Sequence, residues 1–245
     1  MSPRSLGTRT NQQLRSSPVV CEEGPVPVSR AHQRQREFHR LTSAKAGPRV
    51  VMCVGPLAAD AVMMAEGDPD IVALCDRPLR VHGSIGTRPH FTFDLAVTAR
   101  SGIRRLYAVF RESTLRPAED GRLLPKHWAI VERLATDHGH DVHVLTDTEL
   151  EQHRQRITNW RRLLPFVLEA HHRPNPAVVK DLLEILRDRA GVPLLALPEL
   201  LVAKAVPDIV PSIARLLHEG VCEAQLDVKE FTGATPITVR GEDDA

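Results

Sequence analysis

Two strand-like runs joined by a short turn constrain this chain more than any other feature. Residues 90 to 97 read His90-Phe91-Thr92-Phe93-Asp94-Leu95-Ala96-Val97, a turn follows over 99 to 102, and residues 103 to 110 read Ile103-Arg104-Arg105-Leu106-Tyr107-Ala108-Val109-Phe110. Successive side chains of a strand point to opposite faces. Phe91, Phe93, Leu95 and Val97 therefore share one face, the expected core, while His90, Thr92 and Asp94 share the other. On the second strand Leu106, Ala108 and Phe110 fall together. A hairpin with one apolar face needs helices to cover it.

The flanking sequence supplies them. A helix is expected over 56 to 67, because Pro56 suits a first turn and Leu57, Ala61, Met64 and Ala65 lie at the spacing of one buried stripe. After the hairpin come a helix over 125 to 138 with Trp128, Val131 and Ala135 as its stripe, a strand over 141 to 145, and a helix over 147 to 157. Thr146 with Glu149 three residues on is the capping-box signal for that last helix. Trp160 reads as a packing residue. These elements describe a mixed sheet flanked by helices.

Pro174-Asn175-Pro176 then breaks the chain and a different pattern begins. A helix over 177 to 190 carries Val178, Leu182, Ile185 and Leu186 in one stripe and stops at Gly191. A short helix over 197 to 203 follows. A third helix, opened by Pro207 and Pro211, turns Ile213, Leu216 and Leu217 inward and stops at Glu219-Gly220. Strands over 221 to 226 and 236 to 240 close the segment. Three helices and a hairpin make the winged-helix layout, whose third helix ordinarily reads DNA. Here that helix offers only Arg215 and His218, so a structural or protein-binding role fits it as well, and Lys204, Lys229 and Arg240 are the better-placed phosphate contacts.

The chain of 245 residues, 42% hydrophobic, is long enough for two modest domains. Its formal net charge of +1 conceals a basic N-terminal stretch, in which Arg4, Arg9, Arg15, Arg30, Arg34, Arg36, Arg40, Lys45 and Arg49 face only Glu22, Glu23 and Glu37. Residues 1 to 41 are expected to form a disordered basic arm, and Arg30 to Arg49 to contact phosphates. Residues 241 to 245 form an acidic tail. No run reaches the length of a membrane-spanning helix and the N-terminus has no signal-peptide core, so a cytoplasmic protein is expected. Cys21, Cys53, Cys75 and Cys222 show no CxxC pair and are expected to be reduced thiols. His138 and His140 fall at a helix-to-strand turn with His143 just beyond it, and His171-His172 precede a linker; neither group is assigned as metal ligands.

The 90 to 110 stretch resembles the PD-(D/E)xK nucleases, and in particular the TnsA endonuclease subunit of heteromeric transposons. The resemblance extends over most of residues 42 to 168. Ser43-Ala44-Lys45-Ala46-Gly47-Pro48-Arg49 is similar to the family's Ser-x-Lys-x-Gly-Arg approach, Asp68-Pro69-Asp70-Ile71-Val72 to its Asp-Pro-x-Val, and Asp76-Arg77-Pro78-Leu79 to its Gln-Pro segment. Thr146-Asp147-Thr148-Glu149-Leu150 and Asn159-Trp160-Arg161-Arg162-Leu163-Leu164 match its later motifs. The region from Gly220 to Thr235 resembles part of the family's C-terminal domain. The resemblance implies an α/β restriction-endonuclease-like domain over 42 to 170, a linker over 171 to 176, and a winged-helix-like domain over 177 to 240.

It also implies a degenerate nuclease site. Such enzymes hold Mg²⁺ with carboxylates, because a hard cation wants oxygen ligands, and place a lysine beside the scissile phosphate. Asp94 matches the first acid, but Ala58 and Ala108 stand where the other ligands belong and Phe110 where the lysine does. The expected pocket is apolar and filled, with Asp94 left to cap a turn or pair with an arginine. Asp60, Glu66 and Glu112 are the acids that could replace the lost ligands, or else solvated surface acids. The implied role is a DNA-binding transposition subunit acting at transposon ends beside an integrase-type transposase and an AAA ATPase, with no cofactor, or Mg²⁺ if it cuts. An active endonuclease with relocated ligands and a winged-helix transcriptional regulator stand as alternatives.

Overall fold

The structure, a computed structural model, describes residues 21–28, 37–85, 88–201 and 206–241. Arg30, Arg34, Arg36 and Lys204 lie outside the described residues, as does the end of the helix expected over 197 to 203. Two strands occupy what was expected to be the disordered arm. β1 (Cys21–Glu23) pairs with β5 (Leu79–Ile85), and β2 (Phe38–Ser43) pairs along its length with β3 (Arg49–Val54). Arg-rich, Pro-rich composition hid them, since β1 is too short to show alternation.

The central sheet has the order β11-β8-β7-β4, formed by β4 (Ile71–Asp76), β7 (Leu95–Ala99), β8 (Arg104–Phe110) and β11 (Asp141–Thr146), while β9 (Arg116–Pro117) and β10 (Leu123–Leu124) pair with each other in the connection from β8 to β11. β4, β7 and β8 run antiparallel, and β11 is parallel to β8. α1 (Pro56–Glu66) covers one face with α4 (Arg154–His172), and α2 (Trp128–Thr136) covers the other. Ala58, Ala59, Ala61 and Ala65 are all buried on α1, and their small side chains let it lie close to the sheet. The Trp128, Val131 and Ala135 stripe on α2 is buried.

The first expected strand is two strands. β6 (Arg88–Thr92) pairs with β5 in a second sheet, while β7 pairs with β4 and β8. β4 runs on into β5 as β6 runs on into β7, forming one long ladder bent in its middle: Asp76 lies opposite Leu95 before the bend and Arg80 opposite Thr92 after it. Arg77 makes the bend with φ 49°, a left-handed conformation that costs a side-chain-bearing residue energy. Its N–H donates to Asp94 O at 2.9 Å and its Nε to Val26 O at 2.7 Å, which offsets that cost. The bend also overturns the expected common face. Phe91 and Phe93 pack under α2, but Leu95 and Val97 pack under α1. A period of two holds only while a strand stays straight.

The helix expected over 147 to 157 divides at His153 into α3 (Asp147–Gln152), opened by the Thr146/Glu149 capping box, and α4. α4 has 19 residues, about 28 Å at the helical rise, and passes through the expected domain boundary at 170. Beyond Pro174 come α5 (Pro176–Asp188), β12 (Val192–Pro193), α6 (Leu197–Leu200), α7 (Ile209–His218), β13 (Cys222–Glu223) and β14 (Pro236–Val239). The strands form a small sheet of order β12-β14-β13. β12, two residues ending in a proline, has no sequence signature. α7 packs along α4, so one hydrophobic core runs without interruption from Ala44 through Ala61, Leu163 and Val167 to Ile213 and Ile237. The two halves share that core, and residues 173–175 connect α4 to α5.

Candidate functional site

Asp94 stands where β7 leaves β8. Its N–H donates to Tyr107 O at 2.9 Å, the last backbone contact between these two strands, and β8 continues to Phe110 paired only with β11. The next outward-pointing N–H of β8, that of Val109, donates to Asp94 Oδ2 at 2.8 Å. The carboxylate thus replaces the carbonyl that a continued strand would have offered. Burial first, and then the Asp76 and Asp94 charges, push the Cys53 thiol of β3 up to about 12.

The residues expected to complete a nuclease constellation do not converge on it. Ala108 is fully buried beneath α2, and Phe110 stacks on Phe91 with ring centres 6.5 Å apart in an aromatic cluster with Phe93 and Trp128. Ala58, a residue of α1, is buried against the opposite face of the sheet from these two. The β8 residues on the α1 side are instead Tyr107 and Val109, followed past the strand end by Arg111. Sequence reading missed Arg111, although alternation counted from Tyr107 would have found it.

Arg111 opens a cleft of about 450 Å³ shared with Asp60, Asp147, Glu151 and Arg154. Its guanidinium is exposed and has no partner among the described residues, whereas every acid in the cleft has one. Asp60 pairs with Arg161. Glu151 accepts from Arg154, whose hydrogen bond and charge hold its carboxyl below the usual range. Asp147 Oδ1 accepts the N–H groups of Glu112 at 2.8 Å and Thr148 at 3.1 Å. Mg²⁺ demands near-octahedral oxygen ligation from uncommitted carboxylates and water. These carboxylates, each held by a cation or a backbone amide, and with Asp94 outside the cleft, do not fit that requirement.

Glu66, considered as a replacement ligand or a surface acid, is neither placed nor exposed for such roles. It is fully buried at the far end of α1 from Asp60's cleft and accepts from Ser43 Oγ, from Lys45 N at 3.3 Å and, across the molecule, faces His218 Nε2 at 2.8 Å. Lys45, expected at a phosphate surface, is buried beside it. Its ammonium donates to Ala65 O at 2.9 Å and Asp68 O at 2.5 Å, capping the C-terminus of α1, where a cation complements the helix dipole. Burial outweighs the nearby Glu66 and Asp68 charges and lowers Lys45 to about 8. Glu112 is half-buried in a single 3₁₀ turn after β8.

The other expected phosphate contacts are scattered. Arg40 is exposed on β2, and Lys229 is exposed in the loop between β13 and β14. Arg49 donates to the buried Asp76 at 2.6 Å, Arg215 pairs with Glu219 at 2.7 Å, and Arg240 lines a cavity of about 230 Å³ between the halves. That inter-half seam holds a polar network. Asn159, fully buried, donates through Nδ2 to Leu226 O and Lys229 O, both at 2.7 Å, and accepts from Phe231 N at 2.9 Å. Arg156 pairs with Asp227, Arg162 with Glu230, and Arg100 donates to Pro69 O and Glu219 O. The third helix and the hairpin loop of the C-terminal half both face α4. No model of a known protein family matches the chain, and no curated protein matches it.

Among the described residues, no helix is long and apolar enough to cross a membrane.

Proposed function

We propose that this chain is a DNA-binding subunit of a transposition machine, resembling the TnsA nucleases, in which the nuclease-like half is a scaffold rather than a cutting centre. Three antiparallel strands followed by one parallel to the third, with a helix before and a helix between, is the order expected of a restriction-endonuclease-like fold. Three helices with a β12-β14-β13 sheet is the order expected of a winged helix. The observation that carries the reading is the Asp94 carboxylate: it serves the Val109 N–H while Ala108 and Phe110 lie across the sheet. DNA contact falls to the exposed Arg40, Arg111 and Lys229, together with Arg30, Arg34 and Arg36 of the basic N-terminal stretch. An integrase-type transposase and an AAA ATPase are the partners that the resemblance implies.

The inward-facing α7 supports a structural or docking role for the C-terminal half. A transcriptional regulator of winged-helix type would need that helix in the major groove. A second reading, a nuclease with relocated ligands, draws on one fact: Asp60 and Arg111 open into the same cleft. A supercoiled-plasmid assay in Mg²⁺ and in Mn²⁺, with binding to the same DNA followed in parallel, separates the readings. Binding without nicking supports the scaffold. Nicking abolished by Asp60→Ala or Asp94→Ala supports the relocated site, and absence of any DNA binding defeats both.

A further inference from the structure

We propose that His82 and His90 form a two-imidazole half-site for a borderline divalent ion of the Zn²⁺, Ni²⁺ or Cu²⁺ class. The two residues are directly paired across the antiparallel β5/β6 ladder, where opposed Cβ atoms lie about 5 Å apart. Their ring centroids are 5.8 Å apart with the planes inclined by 47°. Two imidazoles sharing one tetrahedral ion at bonds of about 2 Å have centroids about 5 Å apart, so a small rotation of either ring brings both nitrogens onto one ion. Imidazole selects such ions over Mg²⁺ or Ca²⁺, which prefer oxygen.

The backbone holds this geometry in place without the ion. Val81 and Phe91, one residue before His82 and one after His90, pack into the core under α2, which fixes the strands that carry the histidines. His82 and His90 share the outward face with Arg80 and Thr92, joined one register step along by Arg80 Nε to Thr92 Oγ1 at 3.2 Å. Both histidines are half-buried, and His82 Nε2 itself is shielded from solvent. A bound ion would clamp β5 to β6 at a point where the ladder register shifts, between His82 and Ile85. The other histidine group flagged by spacing is differently engaged: His138 Nδ1 lies 2.9 Å from Leu134 O, and His143 lies over Tyr107 with its Nε2 2.9 Å from Asp141.

The site is independent of any role in DNA handling and is tested on the full chain by titration with Zn²⁺ alone, with Mg²⁺ as the contrast. One equivalent of Zn²⁺ should bind to the wild type, and His82→Ala or His90→Ala should each weaken that binding by about tenfold or more, since even outer-sphere partners of a metal ligand contribute that much. His171→Ala should leave it unchanged. Should either variant fail to fold, acylation of histidines by diethyl pyrocarbonate in the wild type, read by mass spectrometry, gives the answer: Zn²⁺ should protect His82 and His90 together. Equal Zn²⁺ binding by the variants, or equal modification of both residues with and without Zn²⁺, would overturn the proposal.

Discussion

His218 Nε2 lies 2.8 Å from Glu66 Oε2 in a site that excludes water from both side chains, joining the last helix to the end of the first. Removing one member of a buried, hydrogen-bonded pair leaves the other without compensation and costs about 3–5 kcal/mol. Glu66→Ala, which also removes the acceptor of the Ser43 hydroxyl, is expected at the upper end of that range in urea unfolding. His218→Ala should cost less, and the double variant should show a coupling of about 1 kcal/mol or more. Because the core is continuous from Ala44 to Ile237, the wild type should unfold in one transition. Two separated transitions would show that the halves are independent.

Lys45 adds a pH dependence whose sign is unusual for a lysine near acids. Its folded value of about 8 lies below the ordinary 10.5, so between those values the unfolded chain holds a proton that the folded chain has released. Stability attributable to Lys45 therefore rises with pH across that window, by about 3 kcal/mol at most, and the full penalty is present below it. The buried thiols act oppositely: Cys53 at about 12 and Cys222 at about 11 favour the folded thiol, so their contribution falls above the usual thiol value. The difference between wild type and Lys45→Met, followed from pH 7 to pH 9, isolates the lysine. A difference that does not change with pH would refute the assignment.

Asn159 holds the loop between β13 and β14 by two donated bonds and one accepted bond. Asn159→Asp replaces its donors with an acceptor facing two carbonyls, and should destabilise more than Asn159→Ala, by about 3 kcal/mol or more against about 2. Limited proteolysis should then cut within residues 224–235 before any other site. Protection of that loop in both variants would mean that the Arg156–Asp227 and Arg162–Glu230 pairs suffice to hold it.

The segments that carried the family resemblance turn out to specify architecture. Ser43 and Lys45 clamp the end of α1, Asp76 holds Arg49 and accepts from Met52 N at 2.9 Å, Thr146 and Glu149 cap α3, and Asn159 grips the last loop. Local signals were legible because their causes are local: the capping box, the Trp128 stripe, and the apolar spacing of α5 and α7. The face of Leu95 was not, because the bend at Arg77 is made by a contact to Asp94 that no spacing announces. Likewise Glu66 reads as an ordinary helix-end acid until α7, 152 residues on, brings His218 to it. Ala108 and Phe110 alternate along β8 with Tyr107 and Val109, so the two pairs fall on opposite faces of the sheet.

Gly67 tests how tightly α1 and α4 are joined. A Cβ built there would lie 2.1 Å from the Trp160 ring, itself buried against His218. The backbone is right-handed at Gly67, with φ −80°, so Gly67→Ala meets a steric obstacle and no conformational one. Overpacking of this kind costs about 1–3 kcal/mol and displaces the indole. In a Trp128→Phe background, the remaining tryptophan fluorescence should shift to the red. An unshifted spectrum with unchanged stability would mean the helices part easily.

Asp94 separates a structural carboxylate from a catalytic one by the response to its closest isostere. As the acceptor for the Val109 N–H, Asp94→Ala leaves that donor unmet, costing about 1–3 kcal/mol, while Asp94→Asn retains an oxygen in the same place and should recover most of the loss. Were the group a metal ligand in a cutting centre, the ordering would differ: Asp94→Asn would abolish nicking as fully as Asp94→Ala, because an amide lacks the charge that holds Mg²⁺. Thermal midpoints of the three proteins, measured beside plasmid nicking, therefore report the two roles separately. Recovery of stability by asparagine, with DNA binding intact, is the outcome expected of a scaffold strand.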